Sequence, residues 1–128
     1  MSASYRELVV WQKAMDLAVA VYAETDQFPV SERYGLTSQM RRASVSIPSN
    51  IAEGYGRQTA RQKFRFLEDA LGSAYELDTQ IEISARLRFL SEESAHELVG
   101  CAQVCRALQG LMASVAKEAR IQPRVRHK

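Results

Sequence analysis

The 128-residue chain has the length of one domain, with 46% hydrophobic residues, 25% charged residues and a formal net charge of +2. These values are close to the globular average and exclude an intrinsically disordered chain, which combines low hydrophobicity with high net charge. Only three prolines and six glycines occur, too few for the closely spaced turns of a β-sandwich, so the composition favours an all-α fold.

The N-terminal residues 1–7 lack the apolar segment of a secretory signal, and no run of about 18 apolar residues predicts a membrane span. We therefore expect a cytoplasmic protein without a membrane partner. The two cysteines, Cys101 and Cys105, are four residues apart, which places both side chains on one helical face and pointing the same way. This spacing favours two free thiols, packed as small apolar side chains, over a disulfide or a zinc site.

Apolar residues recur every three or four positions over residues 6–28, which predicts a first helix that closes at Pro29. A second helix is predicted over 33–55. Pro48 falls inside this helix and lacks the amide that a helix interior requires. The sequence therefore predicts a kink near Ser44 or a division of the helix into two pieces.

A third helix is predicted over 60–88, because Thr59 and Gln62 have the spacing of a capping box. A fourth helix is predicted over 92–119 with Ser91 as its N-cap, since acidic residues follow that serine where the helix dipole favours them. The fourth helix has the most regular apolar spacing in the chain.

Four helices of about 20 residues with short connections predict an antiparallel, up-down-up-down four-helix bundle formed by residues 1–120. Residues 121–128 contain a proline and four basic-type residues, which predicts a disordered basic tail. These four residues are Arg124, Arg126, His127 and Lys128.

The sign of the charge alternates along the chain. Residues 1–32 hold two basic and five acidic residues, and residues 33–65 hold seven basic and one acidic. Residues 66–99 hold two basic and eight acidic residues, and residues 100–128 hold six basic and one acidic. Neighbouring helices of opposite sign favour this packing order over others. The basic second segment either complements its acidic neighbours or forms a phosphate-binding surface. The residues of that surface would be Arg41, Arg42, Arg57, Arg61, Lys63 and Arg65.

No pattern in the sequence predicts an enzyme, a cofactor or a metal site. Glu93 and His96 have the Glu-x-x-His spacing of di-iron bundles, but that site needs a second such pair, and the only other histidine lies in the tail. Asp78 continues the apolar face of the third helix. We expect it to be partly buried in an ion pair, either within the bundle or between subunits, with Arg41 or Arg42 as its partner.

Three stretches of the chain carry a family resemblance. Residues 34–57 read YGLTSQMRRASVSIPSNIAEGYGR, residues 5–14 read YRELVVWQKA and residues 70–77 read ALGSAYEL. They resemble the motifs of the four-helix-bundle proteins encoded by 23S rRNA intervening sequences. The resemblance extends over about residues 5–119. It implies a left-handed bundle without established enzymatic activity that assembles into a five-fold ring, and therefore a homopentamer.

The resemblance also implies a fold shared with the accessory protein of diversity-generating retroelements, whose basic surface is associated with nucleic-acid contact. The family motif corresponds here to Ser46, Pro48, Asn50, Glu53, Gly54 and Arg57 in the second helix and to Gly72, Ser73 and Glu76 in the third. We interpret these residues as structural.

In the structural interpretation of the motif, the small pair Gly72 and Ser73 lets the second and third helices approach closely near Pro48. Asn50 and Glu53 then make buried hydrogen bonds. The alternative is a ligand pocket at the Pro48 kink.

Two functional hypotheses follow from the charge pattern and the resemblance. The first is a ring-forming, non-enzymatic protein that binds structured RNA, such as rRNA, through arginines of the second helix and the tail. The second is a protein-binding or purely structural assembly scaffold, in which the arginines meet acids of the third helix in the next subunit.

Overall fold

The computed structural model describes residues 4–120, and the predicted tail, 121–128, lies outside them. Five α-helices and two short 3-10 helices make up most of these residues. The α-helices are α1 (Val9–Thr25), α2 (Leu36–Tyr55), α3 (Ala60–Arg86), α4 (Glu92–Glu97) and α5 (Gly100–Ala119), and the 3-10 helices are Tyr5–Glu7 and Val30–Glu32.

The helices form a bundle with four members, because the short α4 leads directly into α5. α2 packs against α1 and α3, and α5 packs against the same two helices, so the four members enclose one core. The predicted all-α four-helix bundle is confirmed. Its up-down-up-down order and its left-handed sense stay predictions.

The core consists of apolar residues that recur every three or four positions, so that each helix contributes one buried stripe. Complete burial of a leucine or isoleucine side chain stabilises a fold by about 1.5–3 kcal/mol, and these stripes supply most of that burial. They are Val10, Ala14, Leu17 and Val21 on α1; Met40, Ala43, Ile47 and Ile51 on α2; Leu67, Ala70, Ala74 and Leu77 on α3; and Cys101, Val104 and Leu108 on α5.

The first helix is shorter than the predicted 6–28. It ends at Thr25, and Phe28 follows in a turn that buries its ring against Phe89, with the ring centroids 5.7 Å apart. Apolar spacing does not distinguish a last helical turn from an apolar residue in the turn that follows, because both are buried.

α2 continues through Pro48 as one helix, so the predicted division at this proline is wrong. Pro48 removes the backbone donor to the Ser44 carbonyl. The two residues after it also bond back to the preceding turn through their side chains. Ser49 donates from Oγ to the Val45 carbonyl at 2.8 Å, and Asn50 donates from Nδ2 to the Ser46 carbonyl at 2.9 Å.

The predicted fourth helix, 92–119, is divided into α4 and α5 by a tight turn at Leu98 and Val99. The amides of these two residues donate to the carbonyls of Ala95 and His96, three residues earlier. Valine followed by glycine is a weak helix-forming pair. The tight turn interrupts the helix at that pair while Leu98 stays in the core.

Two predicted helix starts are confirmed. Thr59 accepts a hydrogen bond from the Gln62 amide on its Oγ1 at 3.1 Å, and Ser91 accepts one from the Ser94 amide on its Oγ at 3.0 Å. Each bond satisfies an amide that has no partner inside its own helix.

Taken as one segment, Glu92–Ala119 is long and apolar enough to cross a membrane, with a mean hydropathy of 1.3 over 18 residues. One segment of this kind is weak evidence for a membrane span, because the core helix of a bundle meets the same criterion. In this chain Leu98, Val104 and Leu108 of the segment pack in the bundle core.

α2 and α3 approach each other closely at Gly54. A Cβ atom on this glycine would lie 2.7 Å from the Cβ atom of Phe66 and 3.4 Å from the Lys63 carbonyl oxygen. The sequence predicted the close approach at Gly72, and this is wrong. Gly72 is exposed, and a Cβ atom there would meet no atom within 4 Å.

Gly54→Ala is expected to lower the free energy of unfolding by about 1–3 kcal/mol, because the added methyl group must displace the first side-chain carbon of Phe66. Gly110→Ala is the matched control. Gly110 lies inside α5 with open space around it, and alanine there should stabilise by about 0.5–1 kcal/mol. Urea unfolding of both variants measures the difference. A Gly54→Ala variant as stable as the parent protein would contradict the close approach.

Candidate nucleic-acid interface

The six basic residues predicted to bind phosphate lie in two groups at opposite ends of α2. Arg41 and Arg42 are near its start, and the other four lie in the turn after α2 and at the start of α3. Arg41 and Arg57 are 16 residues apart, about 24 Å along a helix axis. The structure therefore does not bring all six residues into one continuous surface.

Arg41 is held by contacts within the chain. Its Nε donates to Oγ1 of the buried Thr25 at 2.9 Å, and its Nη2 donates to the Tyr22 carbonyl at 3.3 Å. The guanidinium also lies 4.7 Å from the centroid of the Tyr22 ring and 4.0 Å from the Asp26 carboxylate. Arg41 thus closes the C-terminal end of α1, where carbonyl groups lack helical partners.

Arg42 is exposed at the same end of the bundle. It lines an open cleft of about 410 Å³ together with Arg33, Tyr34, Thr37 and Ser38. Arg41 is engaged with α1 but its side chain is still 29% exposed, whereas Arg42 and Arg33 are the exposed cations at this end.

The larger group lies in residues 57–65, which comprise the end of the connection after α2 and the first six residues of α3. We call this segment the basic turn. Two of its cations rest on aromatic rings. Arg57 lies 4.6 Å from the centroid of Phe66 and pairs with Glu53 at 3.5 Å, and the Lys63 ammonium lies 5.6 Å from the centroid of Tyr55. Stacking on a ring orients a cation and leaves its N–H groups at the edge to face solvent.

Arg61 and Arg65 stand one turn apart on α3, are exposed, and make no ion pair within residues 4–120. Like charges at this spacing destabilise a helix by about 0.2–0.5 kcal/mol. The first turn of α3 contains no acid, although the helix dipole favours acids there and disfavours cations. The two arginines therefore do not stabilise α3, and their positions favour an anion outside the chain.

The end of α5 lies beside the basic turn. Val115 and Glu118 of α5 line one cleft together with Tyr55 and Lys63. Arg120 follows α5 in the left-handed backbone conformation, with φ at 56°. The basic sequence after Arg120 therefore begins at the end of the bundle that carries the basic turn.

The family-motif residues gather where α2 and α3 face each other. The Oγ atoms of Ser46 and Ser73 are hydrogen-bonded at 3.0 Å, and Asn50 donates from Nδ2 to the Ser46 Oγ, also at 3.0 Å. Gly54 is buried where α2 meets α3, whereas Pro48 is buried on the side of α2 that faces α1. The network joins the two helices, as the structural interpretation expects.

An open cleft of about 440 Å³ lies over the same network. Its lining residues come from the outer sides of both helices and include three exposed acids. They are Ser46, Asn50, Glu68, Asp69, Gly72, Ser73 and Glu76. Sequence reasoning missed Glu68 and Asp69 as neighbours of the motif. The spacing signal was present, since both lie one turn before Gly72 and Ser73.

Two expectations about acidic residues are wrong within one chain, and an ion pair of Asp78 across a subunit contact stays a prediction. Glu53 is exposed and pairs with Arg57 only, so it makes no buried hydrogen bond within the described chain. Asp78 is exposed as well, and its carboxylate acts on the thiols of Cys101 and Cys105. It therefore faces α5, on the side of α3 away from the arginines of α2.

The residues considered for chemistry are not assembled into a reactive site. Glu93 and His96 are both exposed on the short α4. Among residues 4–120, no group of three or more His, Cys, Asp or Glu side chains is placed to hold a metal ion. The absence of enzymatic activity and of a cofactor stays a prediction.

Comparison with known families decides the family of this bundle. The 23S rRNA-intervening sequence protein family matches residues 6–110. The chain belongs to this family. The resemblance carried by residues 5–14, 34–57 and 70–77 is thereby confirmed. A search of curated proteins finds no match to this intervening-sequence protein.

One solved structure is similar to this intervening-sequence protein over most of its length. It is a protein of unknown function from the S23 ribosomal protein family of Bacteroides thetaiotaomicron. It superposes with a TM-score of 0.72 at 23% sequence identity, covering 81% of this chain and 98% of that chain. At this identity the likeness shows a shared fold.

The Cys101 thiol is buried, the Cys105 thiol is half-buried, and both are poorly ionised. Burial, followed by the neighbouring Cys105 and Asp78, raises the pKa of Cys101 from 9.0 to about 12. The Cys101 thiol donates to the Ala74 carbonyl at 3.3 Å. Burial also raises the pKa of Cys105. Since the thiolate is the reactive form, both residues are placed as packing groups.

We expect Cys101 to resist a disulfide reagent at about pH 8 in the folded protein and to react after denaturation. The unfolded thiol ionises near pH 9.0 and the folded one near 12. Its contribution to stability is therefore complete below pH 9 and is lost as the pH rises towards 12. Thiol counting with and without denaturant tests the reactivity. The free energy of unfolding, measured at about pH 8 and pH 10, tests this pH dependence. The decrease in this free energy between the two pH values should be smaller for Cys101→Ala than for the parent protein.

Proposed function

We propose that this intervening-sequence protein is a non-enzymatic, cytoplasmic, self-associating bundle that binds structured RNA, with rRNA as the first class to test. The basic turn, residues 57–65, is the proposed contact. The observation that carries this proposal is the placement of Arg61 and Arg65. They stand one turn apart at the positive end of α3, exposed and without an ion pair in the described chain.

Phosphate groups suit the basic turn because they supply the negative charge that its arginines lack within the chain. Four cationic side chains lie within residues 57–65, and each cation that neutralises a phosphate releases bound counterions. Arginine also offers a planar fork of N–H donors that fits phosphate oxygens. The basic residues that follow Arg120 in sequence start from the same end and extend the available charge.

The aromatic residues of the basic turn favour structured RNA over unpaired strands. Binding of single strands relies on aromatic faces on which bases stack. Here the rings of Tyr55 and Phe66 are already covered by Lys63 and Arg57. The surface therefore offers charge without a stacking platform, which suits the phosphates and 2′-hydroxyls of a folded RNA.

The second candidate function is an assembly scaffold without nucleic-acid binding. An exposed apolar groove between α1 and α2 favours it. This α1–α2 groove is formed by Trp11, Met15, Val19, Tyr22 and Val45 with smaller neighbours. The groove also supports the self-association in our proposal, for which the resemblance implies a ring of five. Light scattering coupled to size exclusion measures the number of subunits.

Fluorescence anisotropy with a structured rRNA fragment, titrated over a salt series, tests RNA binding. Arg61→Gln/Arg65→Gln is expected to weaken binding and to lower the slope of log affinity against log salt by about two, one unit for each lost phosphate contact. Arg86→Gln/Arg106→Gln is the matched control, because it removes the same charge from exposed positions outside the basic turn. The control should keep the slope of the parent protein.

A duplex DNA of equal length serves as the competitor and should bind more weakly than the RNA. No binding of the parent protein to RNA, even at low salt, would reject the RNA proposal and leave the scaffold. Equal losses in the two double variants would show a non-specific effect of charge and would remove the basic turn as the site.

A further inference from the structure

α1 carries a second apolar face that the described chain leaves uncovered. Its core stripe is buried, but Met15, Val19 and Tyr22 are 39%, 67% and 45% exposed. With Val45 of α2, which is 43% exposed, they line the α1–α2 groove, a cavity of about 430 Å³. A helix that is apolar on more than one side needs a second covering element, and a rimmed apolar patch of this kind marks an interaction site.

Both ends of the α1–α2 groove carry positive charge. The Arg6 guanidinium lies 5.7 Å from the centroid of Trp11, and the Arg41 guanidinium lies 4.7 Å from that of Tyr22. Trp11 and Tyr22 are about 16 Å apart along the helix. The surface that covers the groove should therefore be small or apolar at its centre and acidic towards its ends.

The outer face of α3 has this character. We define the Gly72 face as Glu68, Asp69, Gly72, Tyr75 and Glu76. The three acids are exposed and make no ion pair in the part of the chain that the structure describes, and Tyr75 is 48% exposed.

Gly72 lies at the centre of this face, in the middle of a 27-residue helix, and nothing within 4 Å would meet a Cβ atom there. No contact inside the chain explains a glycine that weakens its own helix. A bare backbone is what close approach of another chain requires.

The geometry points to a head-to-tail contact in which the α1–α2 groove of one copy is covered by the Gly72 face of a second copy. This inference rests on the self-association in our proposed function and adds which two surfaces meet. Acids of the Gly72 face meet Arg6 and Arg41 at the ends of the groove. The α1–α2 groove and the Gly72 face are separate surfaces, so one copy engages two neighbours at once, and repetition of the contact gives a ring when the rotation between neighbours closes.

Two single variants test the contact by sedimentation velocity and light scattering. Gly72→Gln adds a side chain to the Gly72 face, and Val19→Asp places a charge in the α1–α2 groove. Each is expected to reduce the parent oligomer to the 14.4 kDa monomer. Gly110→Gln is the matched control, because Gly110 is also an exposed glycine inside a helix with nothing within 4 Å. It should leave the oligomer unchanged.

A mixture of the two variants separates this contact from a symmetric one. Gly72→Gln keeps an intact groove, and Val19→Asp keeps an intact Gly72 face. One intact groove and one intact face meet in a mixed pair, so the mixture should form a 1:1 dimer and nothing larger. Circular dichroism of each variant alone confirms folding, since each should keep the helix content of the parent and unfold cooperatively, at a lower temperature where assembly is lost.

Three results would overturn the inference. If the Gly72→Gln protein assembles like the parent, the Gly72 face is excluded as the contact surface, while self-association itself is still supported. Variants that stay monomeric when mixed would point to a groove that pairs with another surface. Removal of residues 121–128 that dissociates the parent would assign the groove to that segment. A parent protein that is itself monomeric would reject self-association as well, while RNA binding by the basic turn is measured independently.

Discussion

The tight packing of α2 on α3 is the constraint on which the rest of the molecule depends. Gly54 lets the backbone of α2 approach Phe66, and the hydroxyls of Ser46 and Ser73 meet across the same interface. Because both contacts use small residues, the two helices lie close at both positions. The connection between them is short and exposed, so Arg57 in the connection and the basic residues at the start of α3 lie together at one end of the bundle.

The alternating charge of the helices produces few direct ion pairs. Within residues 4–120 there are three, and two of these join residues four apart on one helix or its end. The third joins Arg41 to Asp26 at 4.0 Å, between an intermediate and an exposed side chain. Exposed pairs contribute about 0–1 kcal/mol. Charge alternation is therefore not expressed as direct ion pairs, and most of the charge of the basic turn is unpaired within residues 4–120.

The packing of a single chain does not explain the positions of several residues, and our functional proposals rest on these residues. Buried stripes and helix caps account for the bundle. Core packing and helix caps do not account for the exposed side chains of Met15 and Val19 or for the exposed Gly72. They also do not account for two arginines one turn apart at the positive end of α3. Each of these features has a small cost in solubility or helix stability that no contact within residues 4–120 offsets, and our proposals assign that role to contact with another molecule.

The family motif illustrates how structural and functional residues share one segment. Ser46, Asn50 and Ser73 hold α2 to α3 through hydrogen bonds. Gly72 and Glu76 lie within a turn of Ser73 but face outward. Helical spacing places all five motif residues near one another. The direction of each residue on its helix decides whether it joins α2 to α3 or faces solvent.

The sequence by itself determined the all-α class, the four-helix bundle, the capped starts of α3 and α4, and the family, because apolar spacing, capping residues and motifs are local properties of a chain. Tertiary structure alone decided that Gly54 and not Gly72 is the site of close approach. It also decided that Arg41 closes α1, that Asp78 faces α5, and that the basic residues divide between two ends. Those outcomes depend on the rotation of each helix about its axis, which is set by packing of all four members together.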